Sequence, residues 1–409
     1  MPAYLQLLYK MLVISTICVL SGCGDGSSDL PGPTTPAFSQ IVVFGDSLSD
    51  VGAYNVGTVA DLGGGKWTVN SSTAKNWTEI VALEYQLPSP CPAQTGLLSI
   101  IPGFTGATVN NFSNCRNYAQ GGARVSSVFG PLSYAMQQVL VSNSVPVSSN
   151  SGALGLMAVP VAKQMAQHLS VVGGAYSGTE LVTVLVGAND IFMNLNAVSS
   201  AAETSAAIAI SSAQFADWTS LPNWTSIQAA LSNPGAPNAV LTAQQAALDY
   251  MVLAANNLAT VIKTQVIAKG ANNIVLINVP DISVSPFITS QNSPSATALS
   301  RALSQIYNST LQTALNGTKV VFVDAFTSSQ AQFSNPGQYG LTNVKTPACS
   351  TTLPANPLQG SSLTCTKAST LTGVDTSAYL FADSVHPTPY GQNLLATLII
   401  QSINAAGIR

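Results

Sequence analysis

The chain has 409 residues, with hydrophobic residues at 46% and charged residues at only 7%, against roughly 25% charged in an average soluble domain. The net charge of -3 comes without a basic block or stripe. That excludes nucleic acid as an expected partner, because phosphate binding needs clustered Lys and Arg.

Lys10 precedes the apolar run from Met11 to Leu20, which is too short to span a bilayer as a helix and reads as an export signal. The run ends in Leu20-Ser21-Gly22-Cys23, which resembles a bacterial lipobox. The resemblance implies a lipoprotein signal peptide over residues 1–22, cleavage before Cys23 and a lipid on its sulfur. Residues 23–39, rich in Gly, Ser, Pro and Thr, read as a tether between membrane and domain. Gly24 and Asp25 do not match an aspartate-next-to-cysteine retention signal, so the outer membrane or cell surface is the expected destination in a Gram-negative envelope.

From residue 40 the chain alternates short apolar runs with helical patterns, the signature of a parallel sheet covered by helices. The first strand is predicted over 40–44. Further strands are predicted over 181–186, 273–277 and 319–323, each a continuous apolar run suited to burial on both faces. Leu248, Met251, Ala255, Leu258, Ile262 and Val266 recur at helical spacing, and Gly270 is the expected stop. Thr388-Pro389 opens a final helix as a cap followed by a first-turn proline. Residues 51–116 and 191–240 read as polar, irregular insertions that shape a cleft. Beyond Cys18 and Cys23, Cys91, Cys115, Cys349 and Cys365 remain. They allow three pairings, of which the nearest-neighbour pairs, Cys91–Cys115 and Cys349–Cys365, would each staple a long loop. None has metal-site or redox spacing, so structural disulfides are expected.

The two histidines make the search for a catalytic base short. His168 falls in a predicted amphipathic helix and is expected to be half-exposed. His386 follows Asp383 by three residues, immediately before the final helix. A carboxylate there can bind the ring and fix its tautomer. Ser47 follows the first strand in Gly45-Asp46-Ser47-Leu48, at a strand-to-helix turn that aims its hydroxyl at the rim of the sheet. No Gly-x-Ser-x-Gly elbow of an α/β-hydrolase is present.

Gly45-Asp46-Ser47-Leu48 resembles the signature block of the GDSL, or SGNH, hydrolase family. The other blocks follow in order, as Asn117 to Ala123, Gly187-Ala188-Asn189-Asp190, and Asp383 to His386. The likeness runs from about residue 40 to the end and includes the Asn278-Val279-Pro280-Asp281 turn. It implies an α/β fold: a three-layer α/β/α sandwich on a parallel, flavodoxin-like sheet, forming one domain over 40–409. It also implies Ser47 as nucleophile, His386 as base and Asp383 as its orienting carboxylate. The oxyanion would be held by the Ser47 amide, a Gly122 amide with Gly121 as fallback, and the Asn189 side chain. Asp46 and Asp190 are expected to tie the loops. No cofactor or metal is implied. The expected reaction is hydrolysis of carboxylic esters, with lipid or phospholipid as plausible substrates. Acyl transfer and carbohydrate deacetylation are alternatives within the family, and an inactive surface-binding lipoprotein is the alternative outside it.

Overall fold

A computed structural model of the chain describes residues 38–142, 144, 154–202, 216–232, 237–352, 356 and 358–408. The expected signal peptide, Cys23 and the tether up to residue 37 lie outside the described residues.

The strands are β1 (Ile41–Gly45), β2 (Gln94–Leu97), β3 (Ala107–Asn111), β4 (Leu181–Leu185), β5 (Asn273–Ile277) and β6 (Val321–Val323). β1, β4, β5 and β6 form a sheet in that order, and every pairing in it is parallel. These are the four predicted runs, shifted by no more than two residues at either end. Residues Arg116 to Gln120 lie along the free edge of β1: Val43 donates its amide to the Arg116 carbonyl at 3.0 Å, and Tyr118 returns a bond to Val43 at 2.8 Å. With this edge the strand order is that of a flavodoxin-like sheet. The edge segment lacks a continuous apolar run, which is why it did not read as a strand.

Alternation along the strands sends residues to two opposite cores. Val42, Phe44, Val182, Val184, Ile274 and Leu276 face one layer of helices, while Ile41, Val43, Leu181, Leu185, Val275 and Ile277 face the other. Each such side chain, fully buried, contributes roughly 1.5–3 kcal/mol relative to exposure. The second face is covered by α1 (Trp77–Glu84) and the final helix. The first is covered by α2 (Val161–Val171), α3 (Ala188–Ala202), α4 (Pro237–Val261) and α5 (Pro294–Ala314).

The helices start and stop where local chemistry dictates. α1 opens with a capping box, in which Asn76 accepts from Thr78 and Glu79 accepts from the Asn76 amide, both at 2.7 Å. α4 runs on through a π turn and a short 3₁₀ turn to Gly270, whose φ of +96° ends it. The final helix, α6 (Pro389–Ala406), is capped by Thr388 and stopped by Gly407 in the left-handed region.

Two expectations are corrected. Residues 191–240 are not irregular among the described residues: α3, a 3₁₀ turn at Ala216–Ser220, the helix Trp224–Leu231 and the start of α4 occupy them. Ile191, Leu195, Ala197, Val198, Trp218, Leu221 and Ile227 of this stretch are buried in the core, so it is part of the helical layer and not a surface insertion. The 51–116 stretch likewise carries α1 and the antiparallel β2–β3 hairpin. His168 is fully buried rather than half-exposed. It shares a face of α2 with Val161, Gln164 and Met165 and packs against Phe44, Tyr118 and Tyr176. Burial, aided by the charge of Arg116, pushes it down to about 4, so it is neutral at pH 7. Cys91–Cys115 and Cys349–Cys365 are both disulfides.

Candidate active site

Ser47 sits one turn past the C-terminal end of β1. Gly45 is required there because a Cβ would lie 2.5 Å from the Leu185 carbonyl of the neighbouring strand. Gln164 of α2 clamps the same residue: its oxygen accepts from the Gly45 amide at 2.9 Å and its amide donates to the Gly45 carbonyl at 2.8 Å. The Asp46 carboxylate takes the Leu48 amide at 3.1 Å and closes the turn.

From the far end of the chain, the loop before α6 brings His386 to this turn. Its Nε2 lies 2.8 Å from Ser47 Oγ, and its Nδ1 lies 2.8 and 2.9 Å from the two Asp383 oxygens. Asp383 is further held by the amides of Ser362, Val385 and His386 at 2.8–2.9 Å. Burial alone would raise this carboxyl. The His386 charge, the bond from its ring and those amides outweigh burial and hold Asp383 well below the usual carboxylate range. The three side chains are buried, each with 8–9% of its residue surface exposed, enough for a small reacting group to reach them.

The remaining blocks close around Ser47. Gly187 turns the chain out of β4 at a φ of +128°, a position where a Cβ would strike the Tyr307 ring at 2.6 Å. Asn189 follows in the first turn of α3, its amide oriented by donation to the Ala123 carbonyl at 2.8 Å. Gly121 donates its amide to Asp50 at 3.0 Å. Among the described residues no group accepts from the Gly122 or Ser47 amides, and Gly122, Asn189 and Ser47 line one cleft. Of the two glycines, Gly121 thus has its amide engaged by Asp50, while Gly122 lines the cleft. Asp190 pairs with Arg124 at 3.0 Å and takes the Val125 amide at 3.1 Å, tying the Asn189 block to the Gly122 block. Burial raises the Asp190 carboxyl, against the pull of Arg124. Arg124 also bonds Asp217 and the Phe129 carbonyl.

Sequence reasoning missed several parts of this site. Trp67, from the first insertion, lies with its ring centroid 4.8 Å from that of His386 and donates to Asp50 at 3.3 Å. Nothing in its local sequence marks it. Asp50 follows Ser47 by three residues, and that proximity is the one signal the sequence offers for it. It also accepts from Gly52 and Ala53 at 2.9 and 2.7 Å. Among the described residues no three His, Cys, Asp or Glu side chains group as a metal-ligand set. The arrangement can move a proton from a hydroxyl to an imidazole and present several N–H groups to a developing oxyanion.

The model of the GDSL-like lipase/acylhydrolase family matches residues 41–399, and the chain belongs to that family. It is similar to a GDSL esterase/lipase of Arabidopsis thaliana, 30% identical over 152 residues, covering 33% of this chain and 40% of the relative. A second GDSL esterase/lipase of that plant is 29% identical over 106 residues, covering 24% of this chain and 25% of the relative. The chain thus spans less than half of either relative. Among solved structures it is similar to an extracellular lipase from Streptomyces rimosus, at 15% identity and a TM-score of 0.38, over 90% of this chain and 99% of that one. An alpha/beta hydrolase enzyme from the metagenome of Lake Arreo, Spain, matches at 11% identity and a TM-score of 0.35, over 91% and 99% of the two chains.

Proposed function

We propose that this protein is a serine esterase that hydrolyses carboxylic esters, lipid esters among them, through an acyl-enzyme on Ser47. The observation that carries the reading is the contact of 2.8 Å between Ser47 Oγ and His386 Nε2, with Asp383 on the opposite ring nitrogen. Ser47 Oγ attacks the ester carbonyl carbon while its proton passes to His386 Nε2. Asp383 holds the tautomer and stabilises the imidazolium. The carbonyl oxygen becomes an oxyanion facing the Ser47 and Gly122 amides and the Asn189 side chain, each donor contributing on the order of 3 kcal/mol. The C–O bond to the alcohol breaks as His386 returns the proton to the leaving oxygen. Water then repeats the sequence on the acyl-enzyme and releases the acid.

The same proposal places a domain over 40–409 behind a signal peptide (1–22) and a tether (23–39), exported and held at an outer membrane or cell surface by lipid on Cys23. The lipobox-like Leu20-Ser21-Gly22-Cys23 and the disulfides, which persist in oxidising compartments, support it. Incorporation of labelled fatty acid that is lost on Cys23→Ser tests the anchor.

For the chemistry, the test is turnover of p-nitrophenyl esters by the purified protein and by Ser47→Ala and His386→Ala, with fluorophosphonate labelling alongside. Activity and label that vanish in Ser47→Ala are expected. A folded parent with neither would leave a binding role instead.

A further inference from the structure

The space around Ser47 divides into two lobes. Ser47, Asn189, Phe192, Val385 and His386 line both, so the lobes meet at the reacting atoms. One has a cavity volume of about 110 Å³ and is walled by Leu48, Ile282, Val284, Ala325, Leu395 and Leu398. The other, about 430 Å³, includes Gly122 and Trp67 in its lining and sets Asn196, Thr351, Gln359 and Ser361 among apolar residues such as Leu132, Leu156 and Phe287. Resting on the esterase reading above, we infer that the small apolar lobe seats the acyl chain of the ester, and that the wide lobe takes the alcohol and admits the hydrolytic water.

The physical argument is one of matching surfaces and traffic. An acyl chain has no polar atoms beyond its carboxyl carbon, so it gains most from a wall of leucine, isoleucine and valine, at about fourfold in affinity per buried methylene. It stays in place through both halves of the reaction. The alcohol leaves midway and water enters in its place, which requires room and polar partners beside His386. Size then sets a limit. An apolar cavity of about 150 Å³ accepts a six-carbon ring, so the small lobe suits an acyl chain of roughly four carbons. Its inner wall is the face of α6 bearing Leu395 and Leu398, spaced three apart and both half-buried. Ser328 lines it from the helix Ala325–Ser334.

The assignment is tested with two matched ester series, one varying the acyl group from acetyl to dodecanoyl on a fixed alcohol, the other varying the alcohol on a fixed acyl group. Leu395→Ala with Leu398→Ala is expected to move the acyl optimum to longer chains, raising relative kcat/KM by about fourfold per newly fitted methylene. Ser328→Phe is expected to move it towards acetyl, and Gln359→Ala to alter the alcohol profile only. Pocket variants that shift the alcohol profile, or leave the acyl profile unmoved in a parent that fluorophosphonate labels at Ser47, overturn the assignment alone. A parent that neither turns over esters nor takes the label overturns the esterase reading and this assignment together.

Discussion

Asp50 accepts the Gly121 amide at 3.0 Å, across 71 residues of sequence. That bond occupies the donor of one glycine and leaves the donor of the next, Gly122, to the cleft. It also locks the segment against Trp67, since a Cβ on Gly121 would lie 2.3 Å from the indole. The loop after the proposed nucleophile and the loop that carries a proposed oxyanion donor are thereby tied together.

Gly122 holds a φ of +79°, and a Cβ there would meet the Pro131 carbonyl at 2.6 Å. Gly122→Ala should therefore displace the amide even if the chain folds. With Asn189→Ala as its partner, each is expected to lower kcat by about 10²–10³ with a smaller change in KM. Steady-state kinetics on one ester decide it; near-parental kcat in both would remove these groups from the oxyanion site.

Asp383→Asn keeps the shape of the side chain but ends the charge that steadies an imidazolium. A fall in kcat of about 10⁴ is expected, while circular dichroism stays parental. A loss under tenfold would remove Asp383 from the role of orienting carboxylate.

Arg124 is fully buried between Asp190 and Asp217. Arg124→Met leaves Asp190 buried without its counter-charge, a situation that costs about 3–5 kcal/mol. Arg124→Lys should rescue little, because a point charge cannot reproduce the fork. Urea unfolding of the variants gives the difference directly.

The Cys349–Cys365 bridge closes a loop of sequence separation 16 that includes Ser362, whose amide holds Asp383. Replacing both cysteines by serine should lower stability by about 3 kcal/mol and also reduce kcat, by letting the carboxylate shift. Unchanged kcat with reduced stability would restrict the bridge to folding.

Stability should respond to pH in two opposite senses. Asp383 is depressed, so its contribution is present above the ordinary carboxylate range and is lost as the pH falls through that range and below it. Asp46 and Asp50 go the other way, pushed up to about 7 and about 6, chiefly by burial. Backbone amides pull both back down, with His386 adding to the pull on Asp46. The folded chain keeps those protons where the unfolded chain releases them, so this part of the stability declines as pH rises from about 4 to about 7. Asp46→Asn retains an acceptor for the Leu48 amide and removes one ionisation. Denaturant titrations at pH 5 and pH 8 should show a smaller loss for the variant than for the parent.

Much of this molecule is legible in its sequence. The four central strands are local events, because a continuous β-branched run has no better place than the middle of a parallel sheet. Thr388-Pro389 and Gly270 end helices by their own backbone chemistry. The family blocks were visible because each is short and contiguous: Ser47 after β1, Asn189 after β4, and Asp383 with His386 before α6.

What the tertiary structure alone decided is whatever depends on partners distant in sequence. The edge segment Arg116 to Gln120 is a sheet neighbour only because β1 offers it a ladder. His168 is buried because Phe44, Tyr118 and Tyr176 arrive from three other segments, which helical spacing cannot foresee. The bond that engages the Gly121 amide, the Trp67 ring beside His386 and the division of the cleft into unequal lobes are likewise matters of packing. Local propensity depends on a few neighbouring residues, whereas a cavity or a hydrogen bond across 71 residues exists only once the whole chain has closed around it.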